Sequence, residues 1–418
     1  MKISLLSQWY DPEPGPAALP AIYGREMIRQ GHSVRALTGF PNYPDGKVHD
    51  GYRIRRKTIE RRDGIDVHRV ALYPQHSRSA MGRVLNYASF AASASISGRA
   101  ALQGADAVWV YNSPVTVSLP LLLHTRRGTV PYFLHVQDLW PDSLIASGMV
   151  PEGWVGDRAA SMISRIVKLT ERKATSVGVI SPGVRNLILE RHTQLDPAKI
   201  VYAPNPTNEQ LFEPAEEIRR RLDIDLSSDH TIDFMYAGAI GDVQGLDTVL
   251  DAAALLRDLP AVRLTIYGDG ISRNRLERRV KEERLGNVRF MGRVEQHEIP
   301  ELIARSHIQL VSLASSPFLR FTTPSKIPSL LASGAPIVGQ IGGDGADLIR
   351  DAGAGLVVEP GDAVALADAI ARMAASGPEQ WQAFGESGRR YYSSHLSVAS
   401  TTRIILDSLG APRPPIQD

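Results

Sequence analysis

The sequence predicts an α/β protein built as two doubly wound domains, each a mostly parallel sheet with helices on both faces. Three observations predict it. Short apolar β runs alternate with longer helical patterns along nearly the whole chain, as parallel strands joined by right-handed crossovers do. The alternation comes as two series, separated by a polar, Pro-containing stretch from Pro204 to Ser228. A chain of 418 residues is also long for one core, so two domains of about 200 residues are expected.

The first series opens with the strand Ile3–Leu6 and a helical pattern over Ala17–Gln30, which Gly31 and His32 stop. Val34–Leu37 is the next strand. Ala107–Tyr111 and Tyr132–Val136 follow, each with a helix behind it, and Ser176–Ile180 and Ile200–Ala203 complete the half. The second series starts at Ile232–Tyr236. It continues through Leu264–Tyr267, Val288–Met291, Ile308–Leu313, Ile337–Gln340 and Gly355–Val358. The expected domains are therefore 1–205 and 206–381, and the tail from Ala411 to Asp418 reads as loosely packed or disordered.

One region breaks the alternation. Lys47 to Arg83 carries ten Lys or Arg against Asp50, Glu60, Asp63 and Asp66. It reads as a solvated hairpin with Arg on its outer face, or as a contact for an anionic lipid surface or a phosphorylated acceptor. The helical run Val84–Leu102 behind it is rich in Ala and Ser and is expected to pack inside the domain.

Composition removes several classes. Hydrophobic residues are 43% and charged residues 22%, the balance of a soluble globular protein. A net charge of +2 gives no whole-molecule case for nucleic acid. With no cysteine, disulfides, thiol nucleophiles and Cys-type zinc sites are absent. The eleven histidines are scattered, and neither an HExxH nor a G-x-S-x-G pattern occurs, so no metal centre and no serine-hydrolase elbow is expected. The amino terminus lacks the features of a leader, and the apolar stretch Val115–His124 is far short of the roughly 20 residues a membrane-spanning helix needs. The expectation is a cytoplasmic protein, with peripheral contact at the inner membrane face left open.

Ligands of open α/β sheets bind beyond the carboxyl ends of strands, where helix N-termini offer unpaired N–H groups. Gly15, between Pro14 and Pro16, either lets backbone approach a phosphate or sugar or is plain turn chemistry. Gly238, Gly241 and Gly245 lie between a strand and a helix and resemble a phosphate cradle. Gly268-Asp269-Gly270 is a second glycine turn. Lys326 is the best single candidate: Thr322-Thr323-Pro324-Ser325-Lys326 places hydroxyls and a cation at a helix start, where the dipole disfavours a cation unless an anion joins it. In the first half, Asp138 follows a strand beside Trp140, suited to orienting a sugar hydroxyl or moving a proton. Its alternative is a helix cap, for which Asp142 and Ser143 are better placed. His135, inside the apolar strand, reads as a core residue.

Together these stretches resemble the retaining GT-B glycosyltransferases of family 4, over nearly the whole length. The nearest branch holds the colanic-acid and O-antigen fucosyl- and N-acetylfucosaminyl-transferases. The resemblance rests on Gly31-His32-Ser33-Val34, Leu37 through Pro44, Asn86 through Phe90, Gln137 through Ser143, Gly241 through Leu246, and Pro324-Ser325-Lys326-Ile327. It implies two Rossmann-like domains facing a central cleft, the first for acceptor and the second for a nucleoside diphosphate sugar, with no metal, no cofactor and retained anomeric configuration. By position Gly15 would approach the donor, Ser325 and Lys326 would hold the diphosphate, Gly268 and Gly270 would line the nucleotide site, and the backbone near Val294 would meet the base. A final helix, about 382–412, would cross back onto the first domain. The implied partners are the donor and a glycan-lipid or small soluble acceptor, and neither the base (UDP or GDP) nor the acceptor is fixed.

The departures matter. The wider family has Arg after the first glycine of the cradle and Lys before the last, where this chain has Ala239 and Gln244. The family's paired glutamates, which fall near Phe321 and Ser329, are absent. Two charged contacts to the diphosphate are missing, each worth roughly 1.5–3 kcal/mol, and Arg320 is the residue placed to compensate. A UDP-sugar 2-epimerase and a catalytically silent nucleotide-sugar binder are the rival readings; acceptor-dependent nucleotide release separates the transferase from both.

Overall fold

The computed structural model describes residues 1–75, 80–124, 130–142, 144, 153–226 and 231–411. Arg78 of the basic stretch, the cap candidate Ser143, Ser227 and Ser228 of the boundary stretch, and the tail beyond Ala411 lie outside these residues. The chain separates into two compact units, Met1–Pro204 with Val398–Asp418, and Asn205–Ser397.

The first unit is built on an eight-stranded sheet. Its strands are β1 (Lys2–Leu6), β2 (Ser33–Gly39), β3 (Lys57–Arg62), β4 (Ile65–Val70), β5 (Ala107–Asn112), β6 (Tyr132–Val136), β7 (Ser176–Val179) and β8 (Ile200–Tyr202). Their order is β3-β4-β2-β1-β5-β6-β7-β8. All neighbours are parallel except β3 and β4, in register Ile3↔Val34 on one side of β1 and Ile3↔Ala107 on the other. Strands such as Ala107–Asn112 are buried at every residue because helices cover both faces. The chain leaves β1 toward one edge and later crosses to β5 on its other side, so the switch point lies between β1 and β5.

The basic stretch does contain a hairpin. Asp63 (φ 50°) and Gly64 (φ 78°) make the two-residue turn between β3 and β4, a geometry that matches strand twist. Arg53, Arg55 and Arg56 are exposed as expected, but Arg69 is fully buried. Its guanidinium is satisfied there by the Glu60 carboxylate and by the carbonyls of Gly39 and Asp11. Arg61 and Arg62 are spent on Asp66 and Asp11.

The run behind it is two helices, Ala80–Ser97 and Arg99–Leu102. They break at Gly98, where a Cβ would stand 2.4 Å from the Ala94 carbonyl. Phe90, Ala91 and Ala94 face the core, but Met81, Val84, Leu85 and Ile96 stay exposed, so only one face packs inside.

The second unit holds a six-stranded parallel sheet in the order β11-β10-β9-β12-β13-β14. The strands are β9 (Ile232–Ala237), β10 (Val262–Tyr267), β11 (Val288–Gly292), β12 (Ile308–Ser312), β13 (Ile337–Gln340) and β14 (Gly355–Val358). Its switch point lies between β9 and β12.

The return to the first unit comes later than the expected helix 382–412. The helical stretch Ala363–Tyr391 bends at Gly377 (φ 78°) before Pro378 and stays with the second unit. Two glycines explain this. A Cβ at Gly385 would lie 2.1 Å from the Gly334 carbonyl, and one at Gly388 would lie 3.0 Å from Leu331, so the helix seats tightly on its own domain. The segment that goes back is the helix Val398–Ser408, whose Ile405 and Leu406 join Tyr23, Met27 and Trp109 in the first unit's core.

Candidate active site

In the second unit the loops that follow β9 and β10 are pressed together. Gly238 N–H donates to the Tyr267 carbonyl at 3.0 Å, Ile240 N–H to Asp269 at 2.9 Å, and Ser272 N–H to Ile240 at 3.0 Å. Only glycine permits this spacing. A Cβ at Gly268 would fall 1.8 Å from the Gly238 carbonyl oxygen, and one at Gly270 would fall 2.3 Å from that of Ile240. Val294 sits two residues beyond β11, in the third loop of the same row.

Lys326 is the first residue of the helix Lys326–Ala332. Its ammonium lies over the ring of Tyr236, 3.8 Å from the centroid. A Cβ at Gly238 would stand 2.8 Å from that Nζ, so this glycine makes room for the cation. Tyr236 is fixed from its other end, its hydroxyl donating to the Ala239 carbonyl at 2.7 Å. Burial pushes the Lys326 pKa down to about 7, and among the described residues no carboxylate counters it. The structure thus brings Lys326, Gly238, Ala239, Gly268 and Gly270 into one place, with Ala239 exposed.

The rest of the cradle is occupied by its own loop. The Gln244 side-chain oxygen accepts the Gly241 N–H at 3.0 Å, which leaves only its amide nitrogen to meet a ligand. Gly245 (φ 60°) packs against Ala314, whose N–H donates to Val243 at 2.8 Å. Gln340 ties three strand ends, donating to Gly245 and Ser312 and accepting from Gly361 N–H. Past Ala314 a cavity of about 180 Å³ opens beyond the carboxyl ends of β12, β13 and β14, lined by Leu313 to Pro317, Arg320, Gly342 and Glu359. Arg320 is exposed on its wall; Thr323 is half-buried and Ser325 exposed just before Lys326.

In the first unit, Gly15 follows β1 with φ 64° and nothing within 4 Å of its missing Cβ. Its requirement is conformational, and it leaves backbone facing open space. Glu13 beside it is 2% exposed. It accepts N–H bonds from Asn42, Tyr43 and Tyr10, which staples the loop after β2 to the loop after β1. Burial still leaves its pKa raised.

The Asp138 carboxylate accepts the Ser113 hydroxyl at 2.7 Å, joining the ends of β5 and β6. Surrounding protein raises its pKa, an effect that bond only partly offsets. His135 is a core residue: fully buried, with Nε2 2.8 Å from the Ala203 carbonyl and Tyr23, Trp109, Tyr111 and Phe133 around it. Burial lowers its pKa to about 4.

Tyr236, Glu13 and Ser113 had no signal in the sequence. An aromatic inside an apolar strand reads as core, and a Glu between prolines reads as turn. Among the described residues no group of three or more His, Asp or Glu could hold a metal ion.

Comparison with known proteins gives the chain a setting. Residues 21–206 match the family model "Glycosyl transferase 4-like domain", and residues 231–376 match "Glycosyl transferases group 1". WcaI of Escherichia coli (strain K12), assigned to colanic acid biosynthesis as a glycosyl transferase, is 27% identical over 351 residues, 81% of this chain and 83% of that protein. Among solved structures, Anabaena Alr3699/HepE in complex with UDP superposes with TM-score 0.68 at 16% identity, over 98% of this chain and 100% of the other. Sucrose-phosphate synthase from Thermosynechococcus elongatus gives 0.65 at 18% identity over 97% of each chain. These likenesses show a shared two-domain fold. The two glycosyltransferase models, each matching less than half of the chain and together most of it, and the WcaI relative show that the chain is a glycosyltransferase, and its two-domain fold is GT-B.

Proposed function

We propose that this enzyme moves a hexose-type unit from a nucleoside diphosphate sugar, UDP- or GDP-linked, to a glycan-lipid or small-metabolite acceptor. The anomeric configuration is retained and no metal takes part. The observation that carries this reading is the Lys326 ammonium, held in a desolvated niche against an aromatic ring with no carboxylate among the described residues to neutralise it. A cation kept at that cost suits a transient anion. HepE, similar in fold, was solved with UDP and with UDP-glucose, which supports a donor of that class.

As the glycosidic bond to phosphate breaks, the sugar gains oxocarbenium character and the diphosphate gains negative charge. Lys326 stabilises that charge, since the N–H groups of Gly238, Gly241, Gly245, Gly268 and Gly270 are already spent within the loops. The acceptor attacks the same face, and its proton passes to the departing phosphate oxygen. Asp138, with a raised pKa and anchored by Ser113, orients the acceptor hydroxyl. Gly15 offers backbone to the donor, Arg320 makes up for the cations missing at Ala239 and Gln244, and the backbone near Val294 meets the base.

Calorimetry with UDP, GDP and dTDP, without metal, tests this. Micromolar binding of one nucleotide, lost in Lys326→Ala, is the expected result. No binding to any of the three would overturn the donor assignment.

A further inference from the structure

Four aromatic rings form a row beyond the carboxyl ends of the first sheet. Trp9 follows β1, Tyr43 follows β2 and Trp140 follows β6, and the helix Ala80–Ser97 adds Tyr87. The Trp9 ring stands 5.9 Å from Tyr43, centroid to centroid, and 6.4 Å from Tyr87. Tyr87 is in turn 6.4 Å from Trp140. The planes meet at 55°, 81° and 73°, so no two faces in the row are stacked on each other. Trp9, Tyr43 and Tyr87 are half-buried, whereas Tyr23, Trp109 and Phe133 inside the same unit's core are fully buried.

A chain of buried amides braces this row. Gln8, Asn42 and Asn86 each directly precede one of the rings, and all are buried. Gln8 Nε2 donates to Asn86 Oδ1 at 2.6 Å, and Asn86 Nδ2 donates to Asn42 Oδ1 at 3.1 Å. Backbone carbonyls fix the direction of the chain, because Asn86 also donates to Tyr73 and Asn42 to Phe40. Burying three amides carries a desolvation cost that apolar side chains would avoid. What the amides add is definition: three segments distant in sequence hold their aromatic neighbours in one arrangement. A row needed only for packing would not require that.

Asp138 adjoins the row. Burial raises the pKa of Tyr87, with the Asp138 carboxylate adding to the effect and Arg83 opposing it. Burial and then Asp138 also raise that of Tyr111, whose hydroxyl donates to the Pro16 carbonyl at 3.3 Å. The carboxylate therefore neighbours both the rings, through Tyr87, and the turn at Gly15, through Tyr111. Among the described residues the Tyr87 hydroxyl has no hydrogen-bond partner. A pyranose ring presents an apolar C–H face and a rim of hydroxyls. Aromatic faces suit the first, and a carboxylate beside a phenol suits the second. An isoprenoid chain could cover the rings, but it would leave the carboxylate and the phenol desolvated and unpaired. We infer, building on the acceptor role proposed for Asp138, that this row is a saccharide subsite: the acceptor ends in a pyranose ring that lies on Trp9 and Tyr87 and turns its reacting hydroxyl toward Asp138.

The test is saturation-transfer NMR on the full chain with the methyl pyranosides of glucose, galactose and mannose, and with geraniol as the isoprenoid probe. Calorimetry with UDP and GDP runs beside it on the same protein. Saturation of the ring C–H protons of at least one glycoside is expected, and none of geraniol. Trp9→Ala and Tyr87→Ala should each weaken glycoside binding about tenfold, the worth of one aromatic stack. Trp9→Phe, which keeps a ring, should hold it within about threefold. All three variants should keep the wild-type nucleotide affinity, because the row belongs to the first unit. Nucleotide binding without glycoside binding would overturn the subsite and leave the donor assignment standing. Glycoside binding without nucleotide binding would uphold the subsite and overturn the donor assignment. Saturation of geraniol alone would also overturn the subsite, as would glycoside binding undiminished in both alanine variants.

Discussion

Lys326 sets the chemistry of the second unit through what surrounds it. Its folded pKa is near 7, while that of the unfolded chain is about 10.4. Between those values the unfolded state holds one more proton, so stability should rise with pH across that window. Lys326→Met should remove the buried charge and raise stability by about 1–2 kcal/mol, read as a higher melting temperature. The same change should cut turnover by about 10²–10³, as loss of one preorganised charge contact does. A variant with normal nucleotide release would refute the role. Donor binding recharges the amine, so nucleoside diphosphate affinity should fall about tenfold per pH unit above 7, visible in calorimetric titrations from pH 6 to 9. Lys326 was legible in the sequence because a cation at a helix start runs against the dipole. Its partner Tyr236 was not, since nothing in a strand pattern says which ring a distant ammonium will cover.

The glycine loops act as paired elements. Gly268→Ala would drive a Cβ into the Gly238 carbonyl, so both loops must separate. We expect a stability loss of about 2–4 kcal/mol and at least a tenfold loss of nucleotide affinity. Gly286→Ala, with open space at its Cβ, should change neither measurement and serves as the control. In the first unit, Glu13→Ala strands three N–H groups and should cost about 2–4 kcal/mol in denaturant unfolding. Most strands were readable as apolar runs, often to the residue, as with Tyr132–Val136. β3 and β4 were readable only as a hairpin, because the edge strand β3 is mostly polar and β4, inside the sheet, carries the buried polar residues His68 and Arg69. The helix after Pro378 was expected to leave its domain, since nothing local marks Gly385 and Gly388 as contacts to Gly334 and Leu331.

Each unit of the molecule has its own hydrophobic interior, one around Leu5, Trp109 and Phe133 and one around Phe234, Leu264 and Ile266. Hydrogen exchange with bound UDP or GDP should therefore protect the loops at 237–245, 268–272 and 313–326 and leave the first sheet unchanged. Protection centred on β1 to β5 would place the donor in the other unit. The boundary near Pro204 was visible from its polar, Pro-containing composition. The second crossing was expected from the resemblance, but near residue 382; its place at Ser397 was not legible, because it falls within a run of helical pattern. That crossing has a consequence for synthesis. The second unit is one continuous stretch and can fold as soon as it leaves the ribosome. The first unit is assembled from both sides of it, and the surface of the helix Leu19–Arg29 waits uncovered until Val398–Ser408 has been made. The earlier-made half is thus the later to finish, and the nascent chain must keep that apolar surface from sticking to its neighbours throughout translation of the other half.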